Sequence, residues 1–393
     1  MHAELVIVGN GMAAARLVQE LKQGTGFDGR ILMIGREPRP AYNRVLLSPL
    51  LAGEVEDQAL ELHSFDWYVQ QGIELLCNDP VVVLEPERHR LRTGSGKQIQ
   101  YDQLVLATGS NASLPPLPGI DLNGVMGFRT WQDVEIMREA AAKGGSAVVI
   151  GGGLLGLEAA EGLRKLGMTT RVLQRSDYLL NRQLDRHAAT MLQQTLEGRG
   201  LEIITSAGVE CLQGNEAGQV TSVILKDGRT LPANLIVVAA GVTPEISLAR
   251  AAGLDCDRAI NVDSELRTSA VDIFALGECC QFEDHTYGLV APIWRQAKVL
   301  AKVLRGESEQ YAEQPVATQL KVSGISLFSC GEIDAQNASV VEYHDPELGD
   351  YRKLWLRDEK LVGAVLFGDT RQSNDYFEEL LTRQAFLYSG QIH

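Results

Sequence analysis

Two stretches of the sequence place small residues where a dinucleotide phosphate could bind. Each follows a G-x-G-x-x-G/A pattern between an apolar β-type run and a helical period; the residues are Gly9, Gly11 and Ala14 in the first stretch and Gly151, Gly153 and Gly156 in the second. The first glycine allows the tight turn, the second lets a pyrophosphate approach the backbone, and the third small residue lets helix and strand pack closely. The helix that follows offers free N–H groups and its positive dipole end to the phosphates. One copy is typical of many glycine-rich α/β turns, but two copies predict two dinucleotide sites.

The residue after the second strand of each repeat should contact the adenosine ribose. In the first repeat, Glu37 follows the strand-like run GRILMIG and has the spacing of the acid that hydrogen-bonds the ribose, although a solvated loop carboxylate would look the same. In the second repeat this position is Gln174, followed by Arg175. An acid there would exclude a 2'-phosphate and an arginine could accept one, so Arg175 and Arg182 favour NADPH or the use of both nucleotides. Two dinucleotides in one chain predict an electron-transfer enzyme, commonly with one flavin and one nicotinamide.

Composition and charge restrict the partners and the location. The chain has 393 residues, which predicts two or three domains, and its net charge of -15 argues against binding to nucleic acid or an anionic membrane. The N-terminus enters a strand directly, without an export signal, and no apolar run is long enough to span a bilayer, so we expect a cytoplasmic protein. The histidines and cysteines lack metal-ligand spacing, so no metal site is predicted.

Two further motifs give the sequence a resemblance to a known family. YDQLVLATGSNASLPPLPG (Tyr101–Gly119) resembles the segment where a chain leaves an FAD domain, and LRTSAVDIFALGECC resembles a second FAD segment, whose apolar strand ends in Gly-Asp at the flavin ribityl chain. Together with the glycine patterns, these motifs are similar to those of the FAD- and NAD(P)-dependent pyridine nucleotide reductase family, although Glu278 stands where that family usually has Asp. The resemblance implies an α/β fold with two Rossmann-like dinucleotide-binding domains and a small α/β C-terminal domain. It also implies FAD with NADH or NADPH as cofactors.

Within that family, the likeness is greatest to the flavoprotein module of assimilatory NAD(P)H-nitrite reductases and next to rubredoxin reductases. The stretches PAYNRVLLSPLLAGE, LLNRQLD, YGLVAPIWRQA and YRKLWLRDEKLVGAVLFGD all resemble this branch, which leans toward NADH. The sequence ends at His393 without a cysteine-rich iron–sulfur or sirohaem part. We therefore expect electrons to pass to a separate redox protein, either a component of nitrite or nitrate reductase in nitrate assimilation or a small rubredoxin-like iron–sulfur protein. The chain itself would be a monomer or a homodimer.

The resemblance also predicts how the chain is divided. The FAD-binding domain would consist of residues 1–115 and 242–315, with residues 116–241 inserted between them as the NAD(P)H-binding domain. Residues 316–393 would form the C-terminal α/β domain, in which alternating strands precede a helix from Asn374 to Leu387.

The family motifs assign candidate site residues position by position. The FAD set is Gly9, Gly11, Met12, Ala13, Ala14, Glu37, Arg44, Ser48, Val82, Ala107, Thr108, Gly109, Gly277, Glu278, Pro292 and Trp294. The NAD(P)H set is Gly151, Gly153, Leu154, Leu155, Gly156, Glu158, Gln174, Arg175 and Gly241. Glu158 is also the candidate catalytic residue, because it matches a glutamate near the nicotinamide.

Several of these residues also have structural explanations. Thr108 could simply form part of a crossover between domains, Trp294 could be a core residue, and Glu158 could complement the helix dipole. Arg44 could be a helix-surface arginine. Many relatives carry a lysine near the flavin where this sequence has Pro49, so the role of that lysine is either absent or filled by another group.

Cys279 and Cys280 leave a second mechanism open. Thiol-dependent reductases of the superfamily place one or two cysteines after the first ribose acid, but AYNRVLLSPLLAG has none. A thiol-dependent peroxide or disulfide reductase would have to use Cys279 and Cys280, and joining adjacent cysteines gives a strained ring. We therefore predict two thiols packed beside the FAD. A non-catalytic flavin or nucleotide sensor is a third alternative.

Overall fold

A computed structural model describes residues 1–23, 26–322 and 324–382. The chain forms two compact units. The first contains Met1–Leu47, Glu56–Asn111 and Val242–Gln314, and the second contains Ser48–Val55, Ala112–Gly241 and Pro315–His393. Because each unit is assembled from separate stretches, residues far apart in the sequence meet within one unit. The four-part division made from the sequence stays a prediction.

The first unit is built on a mixed sheet with parallel central strands. In spatial order its strands are Ile73–Leu76, Ile31–Ile34, His2–Val8, Gln98–Leu106, Arg90–Thr93 and Val81–Glu85, and Ile273–Ala275 also pairs with Gln98–Leu106. The parallel register places Val8 beside both Ile34 and Leu106, so the carboxyl ends of these strands meet at one edge. Ligands of open α/β sheets bind outside this edge, which puts the turn after Val8 in position for a nucleotide.

Two helices complete the core of the first unit. Helix Met12–Leu21 follows the first strand and contacts helix Val290–Leu304. Their buried faces join one hydrophobic cluster with the sheet, to which Leu17 and Leu300 contribute fully buried side chains. The smaller elements are helices Phe65–Gln70 and Ser247–Ala251, the helical turns Arg44–Leu46, Asp57–Leu60, Pro86–Arg88 and Gly277–Cys279, and strands Ile260–Val262, Cys280–Phe282 and His285–Thr286.

The second unit repeats the strand–turn–helix arrangement. Its parallel sheet has the spatial order Glu202–Ile204, Thr169–Leu173, Ser146–Ile150, Leu235–Val238 and Val125–Gly127. Its helices are Leu47–Leu51, which begins at the unit boundary, Trp131–Ala142, Leu154–Lys165 and Arg186–Gly198. A separate antiparallel sheet contains Val209–Gly214, Val220–Leu225 and Thr230–Pro232. The two-stranded sheet of Ser110–Ala112 and Val242–Pro244 belongs, except for Ala112, to the first unit. Helix Leu154–Lys165 follows Ser146–Ile150 as Met12–Leu21 follows His2–Val8.

The C-terminal part of the second unit is an antiparallel sheet covered by a helix. In spatial order the strands are Thr318–Val322, Ile325–Gly331, Lys360–Phe367, Asp350–Arg357 and Ser339–Asp345. Helix Ser373–Thr382 packs Tyr376 and Leu380 against the buried face of this sheet. It begins at Ser373 rather than at the predicted Asn374, and residues 383–387 of the predicted helix lie outside the described residues.

The longest helix in the described ranges, Val290–Leu304, has 15 residues. A membrane-spanning helix needs about 20 predominantly apolar residues. Within residues 1–23, 26–322 and 324–382, no helix has the length and apolar character needed to cross a bilayer.

Candidate dinucleotide sites

The turn after the first strand leaves open space next to free backbone amides. Gly9 has a φ of +122°, and a Cβ at this position would lie 2.0 Å from the carbonyl oxygen of Ala107, so only glycine fits. A Cβ at Gly11, in contrast, would meet no atom within 4 Å. Helix Met12–Leu21 begins there without a side-chain cap, so its first amides lack intrahelical partners. This open, uncapped turn has the form that a pyrophosphate needs.

Two acidic side chains of the first unit, Glu37 and Glu278, interact electrostatically with Arg44. Glu37 accepts hydrogen bonds from the Tyr42 hydroxyl, at 2.8 Å, and from Arg44, with which it forms an ion pair. Glu278 accepts a hydrogen bond from the Ser110 hydroxyl at 2.9 Å. Burial alone would lower the pKa of Arg44, but Tyr42, Glu37 and Glu278 outweigh it and raise that pKa. The structure thus brings the predicted ribose acid, Arg44 and the predicted ribityl-binding glutamate into one electrostatic group.

A buried amide beside Gly277 has a donor without an acceptor. The Oε1 atom of Gln296 accepts a hydrogen bond from the Gly277 N–H at 2.9 Å. Its Nε2 atom has no partner among the described residues, although Gln296 is 0% exposed. Helix Val290–Leu304, which contains Gln296, also begins without a side-chain cap. A buried unpaired donor costs about 1–3 kcal/mol. A bound polar group in the first unit would remove that cost, so the residues present fit FAD.

The adjacent cysteines are enclosed by backbone carbonyls. Cys279 and Cys280 are both free thiols and 0% exposed. The Cys279 thiol donates to the carbonyl oxygens of Leu276 and Leu106, at 3.3 and 3.4 Å, and the Cys280 thiol donates to that of Gly277 at 3.4 Å. Burial raises the pKa of the Cys279 thiol and raises that of Cys280 further. Both groups are therefore protonated and inaccessible, whereas a reactive thiol must ionise and be reached.

Other members of the predicted FAD set have contacts of their own. The Thr108 hydroxyl donates to the Glu245 carbonyl oxygen at 2.6 Å, and the Trp294 ring lies under the Arg16 guanidinium at 5.5 Å. Val82 is 48% exposed on strand Val81–Glu85. Met12 and Ala13 form the first turn of helix Met12–Leu21, Pro292 lies in the first turn of Val290–Leu304, and Ala107 and Gly109 follow strand Gln98–Leu106. Their assignment to FAD stays a prediction.

The second glycine turn has the same local geometry as the first. Gly151 has a φ of +124°, and a Cβ there would lie 2.4 Å from the Ala239 carbonyl oxygen. A Cβ at Gly153 would meet no atom within 4 Å, whereas one at Gly156 would lie 1.9 Å from the Gly151 carbonyl oxygen. Leu154 and Leu155 begin the uncapped helix Leu154–Lys165, so this turn also fits a pyrophosphate.

Glu158 shares a hydrogen bond with Ser48, a member of the predicted FAD set. Ser48 is buried in the second unit, and its hydroxyl donates to the Glu158 carboxylate. Burial raises the pKa of Glu158, the Ser48 hydrogen bond opposes that increase, and the charge of Glu54 adds to it. In this structure Ser48 therefore orients Glu158, and whether either residue touches a cofactor stays a prediction.

The remaining residues of the NAD(P)H set differ in their accessibility. Gln174 is buried, and its Oε1 accepts a hydrogen bond from the Gly152 N–H at 2.9 Å. Arg175 and Gly241 are exposed. Gly241 follows strand Leu235–Val238, at the same edge of the sheet as the glycine turn.

Sequence reasoning missed three residues that organise the first site. Ser110 positions Glu278, Gln296 holds Gly277, and Tyr42 binds Glu37. Gln296 had a signal in the sequence, because it lies on the apolar face of an amphipathic helix, where an amide needs a polar partner. Ser110 and Tyr42 lie within the family-like stretches YDQLVLATGSNASLPPLPG and PAYNRVLLSPLLAGE, but neither stretch indicates which carboxylate the hydroxyl would meet.

A cavity of about 780 Å³ lies elsewhere in the second unit, beside helix Arg186–Gly198 and the C-terminal sheet. None of the predicted site residues lines it. Its buried carboxylate, Asp185, accepts hydrogen bonds from the Tyr351 hydroxyl at 2.8 Å and from Lys353 at 3.4 Å, and it also caps helix Arg186–Gly198. Across the described ranges, no cluster of three or more His, Cys, Asp or Glu side chains could hold a metal ion.

Comparison with known families identifies the chain. The family model for pyridine nucleotide-disulphide oxidoreductases matches residues 3–301. The chain belongs to this family. A second model, for the C-terminal domain of rubredoxin NAD+ reductase, matches residues 315–384. The FAD cofactor, NAD(P)H as its electron donor and the oxidoreductase class, all predicted from the sequence, are confirmed by membership of this family.

Two relatives of the chain are reductases. It is 39% identical over 376 residues to a nitrite reductase [NAD(P)H] of Bacillus subtilis, covering 95% of the chain but 46% of that relative, so it spans about half of the relative's length. It is 33% identical to the ferredoxin–NAD(+) reductase subunit of a benzene 1,2-dioxygenase system of Pseudomonas putida, covering 87% of the chain and 83% of that relative.

A solved structure extends the likeness to the whole fold. The putidaredoxin reductase chain of a covalent complex with putidaredoxin superposes with a TM-score of 0.87, at 26% identity, covering 97% of this chain and 93% of that one. The predicted fold class and the predicted likeness to nitrite reductase flavoproteins and rubredoxin reductases are therefore confirmed.

Proposed function

We propose that this chain is the flavoprotein reductase that takes electrons from NAD(P)H and delivers them to a separate redox protein. The acceptor would be a component of nitrite or nitrate reductase or a small rubredoxin-like iron–sulfur protein. The observation that carries the proposal is the enclosure of Cys279 and Cys280, because the thiol-dependent alternative needs these two cysteines to be accessible. The open glycine turn of the same unit remains available for a dinucleotide.

The residues of the first unit have separable tasks in this proposal. The amides at Gly11 and Met12 would hold the FAD pyrophosphate, Glu37 would hold the adenosine ribose, and Glu278 would hold the ribityl hydroxyls. FAD, when bound, supplies the exchange between a two-electron donor and a one-electron acceptor. The protein's contribution is to bind, orient and exclude water, since these fix the geometry in which transfer occurs.

The second unit would bind and orient the nicotinamide nucleotide. Its uncapped helix at Leu154 would receive the pyrophosphate, and Glu158, held by Ser48, would lie toward the nicotinamide. The raised pKa of Glu158 allows it to hold a proton closer to neutrality than a solvated carboxylate would. No protein acid or base is required for the transfer itself, so Glu158 would act by positioning.

The test combines flavin content, dye reduction and acceptor reduction. The purified chain should contain FAD and should reduce an artificial dye with NAD(P)H. It should also reduce at least one purified acceptor from a panel that includes rubredoxin, a [2Fe–2S] ferredoxin and a nitrite reductase component. A colourless protein, or failure with every protein acceptor despite rapid dye reduction, would contradict the proposal.

A double substitution separates the proposal from the thiol alternative. Replacing Cys279 and Cys280 together with Ser should leave dye and acceptor reduction within about twofold, because the buried thiols take no part. Loss of turnover with FAD still bound would favour a thiol-dependent peroxide or disulfide reductase. FAD that NAD(P)H reduces slowly or not at all, in anaerobic rapid mixing, would favour a sensor.

A further inference from the structure

The end of the second strand in the second unit lacks the acid that selects NADH. In this fold an Asp or Glu at that point hydrogen-bonds the ribose 2'-hydroxyl and repels a 2'-phosphate. Here the residue is Gln174, and its amide faces inward: Oε1 accepts from Gly152 N–H at 2.9 Å and Nε2 donates to the Tyr178 carbonyl at 3.3 Å. With 9% of its surface exposed, Gln174 fixes the turn and brings no negative charge.

The loop that follows has unpaired positive charge. Its two acidic residues are both engaged: Asp177 forms an ion pair with Arg186, and the hydrogen bond from Arg186 lowers the pKa of Asp177. Asp185 is buried and accepts hydrogen bonds from Tyr351 and Lys353. Arg175 and Arg182 are exposed, and neither has an ion pair or side-chain hydrogen bond within the described ranges. The loop therefore presents two uncompensated guanidinium groups.

Hydrogen bonds hold this loop against the glycine turn. Gly152 donates to Gln174, and its carbonyl oxygen accepts from Leu180 N–H at 3.1 Å. Leu179 packs so closely that a Cβ on Gly152 would lie 2.6 Å from it. A dinucleotide whose pyrophosphate lies on the turn extends its adenosine ribose toward the end of the second strand. Arg175 directly follows Gln174 there.

We propose that this chain binds NADPH in preference to NADH, and that Arg175 binds the 2'-phosphate. The inference rests on the proposed function, since it concerns the nucleotide taken by the same site. A guanidinium binds phosphate oxygens through two parallel charge-assisted hydrogen bonds, and no carboxylate at the strand end competes with the phosphate for Arg175.

The test measures nucleotide binding and does not require electron transfer. The full FAD-loaded chain is titrated by calorimetry with 2',5'-ADP and with 5'-AMP, and then with NADP+ and NAD+. The phosphate-bearing member of each pair should bind at least about 10-fold more tightly, as expected for one bidentate arginine–phosphate pair.

Substitutions test whether the side chain of Arg175 causes the difference in affinity between the nucleotides with and without the 2'-phosphate. Arg175→Ala should weaken 2',5'-ADP and NADP+ by about 10-fold or more while leaving 5'-AMP and NAD+ within about twofold, and Arg175→Lys should restore part of the loss. Arg92→Ala, which removes an exposed arginine from strand Arg90–Thr93 of the first unit, is the charge-matched control and should change none of the four affinities.

The outcomes distinguish the inference from the function on which it rests. Equal binding of both members of each pair, tighter binding of NAD+, or an equal loss for all four ligands in Arg175→Ala would overturn the inference alone. Failure of every nucleotide to bind the unaltered chain would overturn the proposed function as well.

Discussion

Replacing Gly11 with alanine should separate cofactor binding from folding. A Cβ at Gly11 meets no protein atom within 4 Å, and the residue has an extended backbone with φ of -109° and ψ of -171°. Alanine restricts the unfolded chain more than glycine does, which raises the free energy of unfolding by about 0.4–1 kcal/mol. Alanine is also a poorer N-cap than glycine, which lowers the free energy of unfolding by a similar amount. We therefore expect the free energy of unfolding of the apoprotein to change by less than about 0.5 kcal/mol.

FAD binding should respond far more strongly to the same methyl group. The methyl would occupy the space that the pyrophosphate needs and push it away from the amides at Gly11 and Met12. Losing two charge-assisted hydrogen bonds of about 1.5 kcal/mol each gives about 3 kcal/mol, or a dissociation constant more than about 100-fold higher. The assay is flavin content after purification, read near 450 nm, roughly the usual flavin band, followed by titration of the apoprotein with FAD.

Two matched variants make the result specific. Gly153→Ala adds the same methyl group to the equivalent open position of the second unit, so it should keep FAD and lose NAD(P)+ binding. Gly9→Ala places its methyl 2.0 Å from a carbonyl oxygen and should destabilise the fold itself by more than about 3 kcal/mol. Gly11→Ala with normal FAD affinity, or Gly153→Ala without bound flavin, would refute the assignment of the two turns.

Three further predictions concern buried carboxyl groups. Burial raises the pKa of Asp79, but hydrogen bonds, first among them that from Ser95, hold this pKa well below its usual range. Asp79→Asn should therefore lower the free energy of unfolding by about 2 kcal/mol at pH 7. Thermal melts should show this difference shrinking as the pH falls below about 4. Burial raises the pKa of Glu158, so the negative charge of Glu158 opposes folding above that pKa. Glu158→Gln should therefore raise the free energy of unfolding at pH 7 by roughly 0.5 kcal/mol or more. The same increase at pH 3, where both side chains are neutral, would contradict this reasoning. Asp185→Asn removes the negative charge that Lys353 faces and leaves one acceptor oxygen for both the Tyr351 hydroxyl and the Ala188 N–H. In denaturant titrations it should lower the free energy of unfolding by about 2–4 kcal/mol, whereas Tyr351→Phe should lower it by about 1 kcal/mol.

The two glycine turns were predictable because their geometry is local. Gly9 and Gly151 each need a positive φ and a close carbonyl neighbour, and the run of strand, glycines and helix encodes both requirements within about 15 residues of sequence. The fold class followed from finding this unit twice. Composition alone would have indicated only a globular protein.

The connections between distant side chains were not predictable in the same way. Glu278 meets Ser110 across 168 positions of sequence, and the pairing depends on how two strands of one sheet lie side by side. The assignment of Gln174 to the ribose position stays a prediction, and the sequence could not show that its amide oxygen accepts a hydrogen bond from Gly152 N–H. The direction in which a side chain points depends on packing around it, and one sequence without its neighbours in space does not specify that packing.

The buried group around Asp185 has a consequence for the modular evolution of this family. Family models divide the chain near residue 315, yet Asp185 lies before that division, and its partners Tyr351 and Lys353 lie after it. A C-terminal domain exchanged between relatives would leave a buried charge unpaired unless it supplied an equivalent hydroxyl and amine. We expect chimeras that join mismatched partners at this junction to express as aggregates, and expect restoring the tyrosine and lysine in the donor domain to recover soluble protein.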